Sequence, residues 1–187
     1  FQDHFGVVWN RSGADKDIGI VSNQVLSQPS LKGFVLPPID ERAIRRLIED
    51  GFRSNPDKFN LYCIGFSMFE RAWSLCGMED LLAYMVLEPS FVHELMDQIA
   101  EYNLCLLKIA LEYDVDCIHF GDDWGQQKGM IMGPTHWRTF ILPRMKRLYQ
   151  ASKEKGKMVS QHSCGDIHEV FGDLIDAGLD MYQTFQP

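Results

Sequence analysis

Two residues near the end of a predicted strand have the types and the spacing of metal ligands. His162 and Cys164 stand two positions apart, at the end of the strand predicted to begin at Lys157. Side chains at positions i and i+2 of an extended segment point to the same side, so an imidazole and a thiol would converge here. Both groups are ligands that zinc prefers. We expect Gly165 to let the backbone turn close to the ion and Asp166 to orient His162.

The same pair has a simpler interpretation, which is a hydrogen-bonded histidine beside a buried thiol. Two ligands also do not complete a zinc site, so a third, another Cys or a Glu, has to come from elsewhere in the protein. We carry the zinc interpretation forward for His162 and Cys164 because the pair stands at a strand end that leads into a helix.

Two adjacent carboxylates stand at the end of the preceding predicted strand. Asp122 and Asp123 suit proton transfer or the recognition of a cationic or NH-rich ligand. Neighbouring side chains on a strand point in opposite directions, so only one of them is expected to face the site. We predict a catalytic role for Asp122 and a substrate contact for Asp123; alternatively, either carboxylate caps a loop or pairs with an arginine. Trp124 is expected to be an apolar wall of the substrate site or part of the core.

The other two predicted strand ends supply two more polar side chains. Ser67 follows the strand that ends near Gly65, and Gln183 lies in the last predicted strand. In parallel α/β folds, functional groups gather where strands end and helices begin. We therefore expect Ser67 and Gln183 to contact the substrate.

The remaining histidine and cysteine residues in strands and helices are interpreted as structural. His119 lies in mid-strand beside Ile118 and Phe120 and is expected to be a core histidine. Four of the five cysteines stand in apolar contexts typical of small core residues: Cys63, Cys76, Cys105 and Cys117. An odd, widely spaced set argues against a disulfide framework and favours the cytoplasm.

Composition excludes several classes of protein. Of the 187 residues, 45% are hydrophobic and 24% charged, as in an ordinary globular domain rather than a disordered chain. The net charge of −8 argues against nucleic acid and against an anionic membrane surface as partners. No apolar run reaches the 18 or so residues of a membrane span.

Helical and strand patterns alternate along most of the chain. Residues 5–9 are a strand candidate, followed by a turn at 10–15, and Asp40 is a plausible N-cap for the first helix. The predicted elements are helix 40–51, strand 59–64, helix 68–85 broken near Gly77, helix 91–113, strand 115–120, helix 134–155 kinked at Pro143, strand 157–162, helix 166–178 opened by an Asp166–Glu169 capping box, and strand 181–185.

This alternation predicts an α/β fold with a mostly parallel sheet covered by helices. An open doubly wound sheet and a (β/α)8 barrel both fit, although no G-x-G-x-x-G follows a strand. About four strands are predicted where a barrel needs eight, and the chain does not start with Met. We expect residues 1–187 to be one barrel domain, truncated at both ends, that is not catalytically competent alone.

Several stretches of the sequence resemble the uroporphyrinogen decarboxylase superfamily. They are residues 120–125 (FGDDWG), 140–143 (FILP) and 162–166 (HSCGD), together with the long helix after residues 88–89 and the stretch 174–180. The resemblance implies a (β/α)8 barrel with its active site at the carboxyl ends of the strands. It also implies a pocket-lining position for Asp122, which matches the acidic residue of the superfamily's F-D-S-W-type motif.

The H-x-C pair is similar to that of the cobamide-dependent methyltransferase branch, which includes methylcobamide:coenzyme M methyltransferases. In that branch a His and a Cys, with a Cys much further along the chain, bind a zinc that activates an acceptor thiol. The resemblance therefore implies that His162 and Cys164 are zinc ligands, with the third ligand beyond Pro187. The decarboxylases use no metal and carry no H-x-C pair at this position.

Three functions remain open from the sequence. The first is a zinc-dependent methyltransferase acting between a methylated corrinoid protein and a thiol or pterin-like acceptor. The second is a metal-free uroporphyrinogen decarboxylase, and the third is a barrel that binds a corrinoid or tetrapyrrole without chemistry. The implied partner is accordingly a corrinoid protein or a tetrapyrrole-type small molecule.

Overall fold

The computed structural model describes residues 1–10 and 19–185. Along the described chain the strands and helices are β1 (Trp9–Asn10), β2 (Ile20–Val21), α1 (Glu41–Ser54), β3 (Leu61–Ile64), α2 (Phe69–Cys76), α3 (Met78–Leu87), α4 (Pro89–Ala110), β4 (Cys117–Gly121), β5 (Gly125–Gln126), β6 (Gly129–Met130), α5 (Gly133–His136), α6 (Leu142–Lys153), β7 (Met158–His162), α7 (Phe171–Ala177) and β8 (Met181–Gln183). A π-helical segment, Trp137–Ile141, joins α5 to α6, and a 3₁₀ turn, His168–Val170, precedes α7.

Within the described residues, four parallel strands form the main sheet in the order β3–β4–β7–β8. Each strand is connected to the next through at least one helix, which is the βαβ arrangement that the sequence predicts. The sheet is that of part of a β/α barrel, so the predicted fold class is confirmed.

The two faces of the sheet differ in burial. Ile118 and Phe120 are fully buried on the face that the helices cover, and the Phe120 ring lies 5.5 Å from that of Tyr149 on α6. On the other face, here called the inner face, the apolar side chains of Leu61 and Met158 are exposed. The core therefore lies between the sheet and its helices.

Helix α1 confirms the predicted N-cap but not the predicted end. The Asp40 Oδ1 accepts a hydrogen bond from the Ala43 N–H at 3.0 Å. The helix runs past Gly51 to Ser54, because Gly51 takes up ordinary helical geometry and the cap is instead Asn55, whose N–H donates to the Gly51 carbonyl. The expected break at Gly77 is confirmed, since Gly77 separates α2 from α3 with φ +90°.

The interruption expected at Pro143 takes the form of the π-helical segment that precedes it. Proline has no N–H to donate, which frees carbonyl groups one turn earlier. The carbonyl four residues before Pro143 is that of Thr139. The Arg144 guanidinium donates to this carbonyl at 3.5 Å, to the Phe140 carbonyl at 3.3 Å and to Asp97 at 2.8 Å. An arginine side chain thus replaces part of the missing backbone bonding.

Two other local expectations are modified. The strand predicted at residues 5–9 is shorter and later, because only Trp9–Asn10 pairs with β2, and most of the turn predicted at 10–15 lies outside the described residues. Of the four cysteines expected in the core, Cys76 and Cys117 are buried, whereas Cys63 on β3 and Cys105 on α4 are exposed. None of the helices in the described part of the chain is long and apolar enough to cross a membrane.

Candidate metal centre

The carboxyl ends of the parallel strands lie side by side. Gly121 at the end of β4 pairs with His162 of β7, and His162 pairs in turn with Gln183 of β8. Because the strands are parallel, the residues that follow each of them meet at one edge of the sheet. The segments after β4 and β7 are therefore brought together.

Asp123, His162 and Cys164 direct three ligand atoms towards one point. The His162 Nε2 lies 3.4 Å from both the Cys164 Sγ and the Asp123 Oδ1. All three ligand atoms lie within 4.8 Å of one another. A tetrahedral zinc with bonds of about 2.0–2.3 Å holds its ligand atoms about 3.3–3.7 Å apart. The observed separations therefore fit a zinc ion.

The third ligand atom in this cluster belongs to Asp123, a residue that the sequence analysis gave a different role. We expected Asp123 to contact substrate and the third ligand to be a Cys or a Glu from another part of the protein. In the structure the Asp123 carboxylate also accepts the Cys164 N–H at 2.7 Å, which fixes the carboxylate next to the thiol.

The electrostatics of the cluster favour a cation. Partial burial, together with the nearby carboxylate of Asp123, raises the pKa of the Cys164 thiol. Without a metal the thiol is therefore protonated at neutral pH, and a positive ion is needed to make it a thiolate ligand. The donor set of carboxylate, imidazole and thiol is one that zinc accepts.

A close backbone contact holds the loop that carries Cys164. A Cβ atom on Gly165 would lie 2.2 Å from the Gly125 carbonyl carbon, and one on Gly125 would lie 2.6 Å from the carbonyl carbon of Gly165. The Gly125 N–H donates to the Cys164 carbonyl, and the Asp166 N–H donates to the Gln126 carbonyl. The β5–β6 hairpin is thereby fixed against the Cys164 loop. Gly165 also has φ +78°, a left-handed conformation that allows the backbone turn expected after Cys164.

Asp122 does not line the site as expected, because its side chain is fully buried. Its carboxylate accepts the backbone N–H groups of Met68, Phe69 and Glu70 at 2.8–3.2 Å, at the start of α2. Burial raises the pKa of Asp122 to about 6, and these hydrogen bonds oppose that effect. The residue anchors a helix terminus and is closed to a substrate.

Trp124 is part of the core rather than a wall of the substrate site. It is fully buried, its Nε1 donates to the Asp122 carboxylate, and its ring lies 5.2 Å from that of Trp137. The alternative that the sequence left open, a core tryptophan, is therefore the one observed.

Ser67 and Gln183 have opposite environments. Ser67 is fully buried, and its hydroxyl has no hydrogen-bond partner among the described residues, so the predicted substrate contact is not available. Gln183 is exposed and pairs with His162, so it lies next to the cluster, and its substrate contact stays a prediction.

Asp166 does not orient His162. Its Oδ1 lies 2.7 Å from the His168 Nδ1 and accepts the His168 N–H at 3.1 Å. This pairing raises the pKa of His168 and lowers that of Asp166. The predicted capping box is also absent, because α7 begins only at Phe171, after the 3₁₀ turn. The carboxylate beside His162 is that of Asp123.

Sequence reasoning missed Glu70, which the first turn of α2 brings to the cluster. Its pKa is raised to about 8 by burial and by the charges of Asp122 and Asp123. The Asp122 carboxylate accepts the donors described above, whereas Glu70 gains a backbone hydrogen bond from Asp123 alone, so the pKa of Glu70 is raised further than that of Asp122. The available signal was an acidic residue in the helical turn directly after a strand end.

His119 is half-buried on the inner face rather than enclosed in the core. Its Nδ1 lies 2.9 Å from the Ser160 Oγ on the neighbouring strand β7. Burial and the nearby His162 lower the pKa of His119, so its imidazole is neutral at pH 7.

The fold and the site together define a class of protein. It is a partial β/α barrel that carries a cluster of metal-ligand residues at the carboxyl ends of its strands. The chain belongs to the uroporphyrinogen decarboxylase family: residues 24–184 match the family described as Uroporphyrinogen decarboxylase (URO-D).

The proteins that are similar to the chain include a decarboxylase and a methyltransferase. A uroporphyrinogen decarboxylase from Nocardia farcinica (strain IFM 10152) is 25% identical over 99 residues, which are 53% of this chain and 27% of that protein. The solved structure of a methyltransferase from Methanosarcina mazei superposes with a TM-score of 0.69 at 17% identity, covering 94% of this chain and 52% of that one. The chain thus spans about half of the solved relative, and the likeness shows a shared fold.

Proposed function

We propose that this chain carries the metal centre of a zinc-dependent methyltransferase, which moves a methyl group between a methylated corrinoid (cobamide) protein and a thiol or similar acceptor. The observation that carries the proposal is the convergence of Asp123, His162 and Cys164 at distances that suit zinc. The likeness to the M. mazei methyltransferase supports it at the level of the fold.

Each residue of the cluster has a defined task in this proposal. When bound, zinc supplies the positive charge that favours the thiolate form of an acceptor thiol, a group whose ordinary pKa is about 8.5. His162 and Cys164 hold the ion from the end of β7. Asp123 supplies the third ligand atom and, by accepting the Cys164 N–H, keeps the loop in place. Three protein ligands leave one position for the acceptor.

The primary test is zinc content in the full-length protein. We expect one zinc per chain in the wild type and a loss of most of it in His162→Ala. The matched control is His168→Ala, because His168 is an exposed histidine of the same connecting segment that pairs with Asp166. Absence of zinc from the wild type, or equal retention in both variants, would contradict the proposal.

Activity provides a second, separate test. Methylcobalamin is a suitable methyl donor probe, and small thiols are suitable acceptors. We expect demethylation of the corrinoid that depends on both thiol and zinc and that His162→Ala abolishes. Tight corrinoid binding without turnover in the zinc-loaded protein would instead favour a non-catalytic binding barrel.

Uroporphyrinogen decarboxylation is the second candidate, favoured by the similarity to the N. farcinica decarboxylase. A tetrapyrrole would then replace the corrinoid protein as the partner. Conversion of uroporphyrinogen to coproporphyrinogen by metal-free protein, unchanged in His162→Ala, would support this function and exclude a required metal.

A further inference from the structure

Two successive rows of the inner face are lined by small and polar residues, with Met181 on β8 as the one large apolar exception. The strand register defines an upper row, level with His162, and a lower row, two residues further from the strand ends. Gly65 follows β3 and lies beside Gly121, since a Cβ atom added to Gly121 would be 3.5 Å from the Gly65 Cα. The upper row is Gly65, Gly121, His162 and Gln183, and the lower row is Cys63, His119, Ser160 and Met181. Barrel interiors are ordinarily filled by Val, Ile and Leu. Neither row contains one, which indicates a lined chamber rather than a packed core.

Gly65 leaves open space in the upper row. A Cβ atom added there would meet no heavy atom within 4 Å among the described residues. Its backbone is not in the left-handed region, so the conformation does not require glycine. The neighbouring Gly121 likewise adds no side chain, and within the described part of the chain a Cβ atom placed on it would meet only the Gly65 Cα, at 3.5 Å. The two glycines therefore leave room on the sheet surface beside His162.

The Nε2 of His119 is available to form a hydrogen bond in the space over Gly65 and Gly121. Its Nδ1 is engaged by Ser160, and its Nε2 has no partner among the residues that the structure describes. Because β4 alternates, His119 lies on the same face as Gly121, two residues further from the strand end. The imidazole of His119 is neutral, so it carries no charge to pair with an anion. Its free nitrogen is better suited to donate a hydrogen bond to an uncharged oxygen.

We propose that His119 is a specificity-determining residue on the floor of a substrate chamber over Gly65 and Gly121, and that the acceptor is a short thiol with an uncharged oxygen at its far end. The sulfur end rests on the metal centre proposed above. Two residues of a strand span about 7 Å. A thiol of two or three carbons, with a bond to the metal at one end and a hydrogen bond to His119 at the other, spans that length.

The test compares two thiols of equal length, 3-mercaptopropan-1-ol and 1-butanethiol, by calorimetry on the zinc-loaded full-length protein. The wild type is expected to prefer the hydroxyl-bearing thiol. In His119→Phe the ratio of the two affinities should fall about fivefold to tenfold, the usual value of one hydrogen bond. Ser160→Ala, which frees the imidazole, should lower the ratio less, and His119→Gln should retain most of it. Equal weakening of both thiols in His119→Phe would overturn the proposal.

The chamber itself is tested by filling it. Gly65→Val should weaken both thiols about tenfold or more and leave the zinc content unchanged. The matched control is Gly172→Val on α7, where an added Cβ atom also meets open space and no thiol is expected to bind. Equal thiol affinities in these two variants would rule out a ligand over Gly65.

The proposed role of His119 can be tested separately from the proposed metal centre. If the wild type binds no zinc, the metal centre fails, and the same two thiols are compared on the metal-free protein by saturation-transfer NMR. A preference for the hydroxyl-bearing thiol that His119→Phe removes would still support the floor contact, and no such preference would overturn it. His119→Leu replaces His119→Phe if thermal unfolding shows that the latter does not fold.

Discussion

Asp122 and Asp123 are neighbours in the chain with opposite surroundings. Asp122 is enclosed by backbone N–H groups, and Asp123 faces His162 and Cys164. The sequence predicted that only one of the two would face the site, and the resemblance directed the catalytic assignment to Asp122, whereas Asp123 is the residue that lies beside His162 and Cys164. Continuing the alternation of β4 would have placed Asp123 on the side of Gly121 and His119, because those positions share their parity.

The contribution of Asp123 to the metal centre is testable by a change of one atom. We expect Asp123→Asn to weaken zinc binding at least about tenfold. Loss of a residue that only orients a metal ligand lowers metal affinity by about that factor, and loss of a charged ligand should lower it more. Competition with a chelating dye measures the affinity. Asp166→Asn removes a carboxylate that contacts His168 instead, and its zinc affinity should match that of the wild type.

Glu70 should make the metal-free protein less stable as the pH rises. Its pKa is about 8 in the folded state against an ordinary value of 4.5, so between these values the folded chain binds more protons than the unfolded chain. Stability therefore falls with rising pH across that window. We expect the urea midpoint to decrease between pH 5 and pH 8 in the wild type, and less so in Glu70→Gln. Glu79→Gln, at an exposed acid in the first turn of α3, serves as control; an equal slope in Glu70→Gln would refute the assignment.

At the scale of the elements, Asp122 joins the end of β4 to the start of α2. Asn at this position has one oxygen in place of two and directs an NH₂ group at backbone donors, so we expect Asp122→Asn to cost about 2–4 kcal/mol. Urea unfolding measures the loss, and hydrogen exchange should accelerate at the Phe69 and Glu70 amides. Asp123→Asn changes the adjacent carboxylate without touching this helix terminus, and its amide exchange there should be unchanged.

The sequence predicted the helices and strands that have strong hydrophobic periodicity, but it did not predict the residues at which they end. Helix α4 keeps a helical period over its whole length and was found at Pro89–Ala110. Gly51 was taken as a stop, but packing of Phe52 against the core favours one more turn of α1. The π-helical segment before Pro143 depends on Arg144 reaching carbonyls on the same helix and Asp97 on α4, and spacing in the sequence does not encode that contact.

At the scale of the whole molecule, the inner face and the outer strands determine how the described segment should behave alone. On the inner face Leu61 is 48% exposed and Met158 38% exposed, and within the described residues β3 and β8 each have one strand neighbour. Unpaired strand edges beside apolar surface promote association. We expect residues 1–187, expressed alone, to associate with increasing concentration in sedimentation velocity experiments and to bind the dye ANS. A compact monomer that unfolds cooperatively and binds one zinc would contradict this.

The alternation of elements was sufficient to predict the parallel sheet, and the H-x-C spacing predicted two members of the cluster. The third member, Asp123, was predicted as a substrate contact rather than a metal ligand, because its contact with His162 depends on the register of β4 against β7. Register is set by packing over the whole sheet, and local sequence does not specify it.

The contact between Gly125 and Gly165 has a consequence for which sequences can keep this site. Any side chain at either position would bring a Cβ atom within 2.2–2.6 Å of the opposite backbone. Saturation mutagenesis under selection for zinc binding should therefore retain only glycine at both, although neither residue has a functional group. Gly51 and Gly172, where added atoms meet open space, should accept many substitutions. A position in this protein can therefore be invariant for either of two reasons. At Gly125 and Gly165 the reason is the lack of space between two backbones, and at His162 it is the chemistry of the side chain.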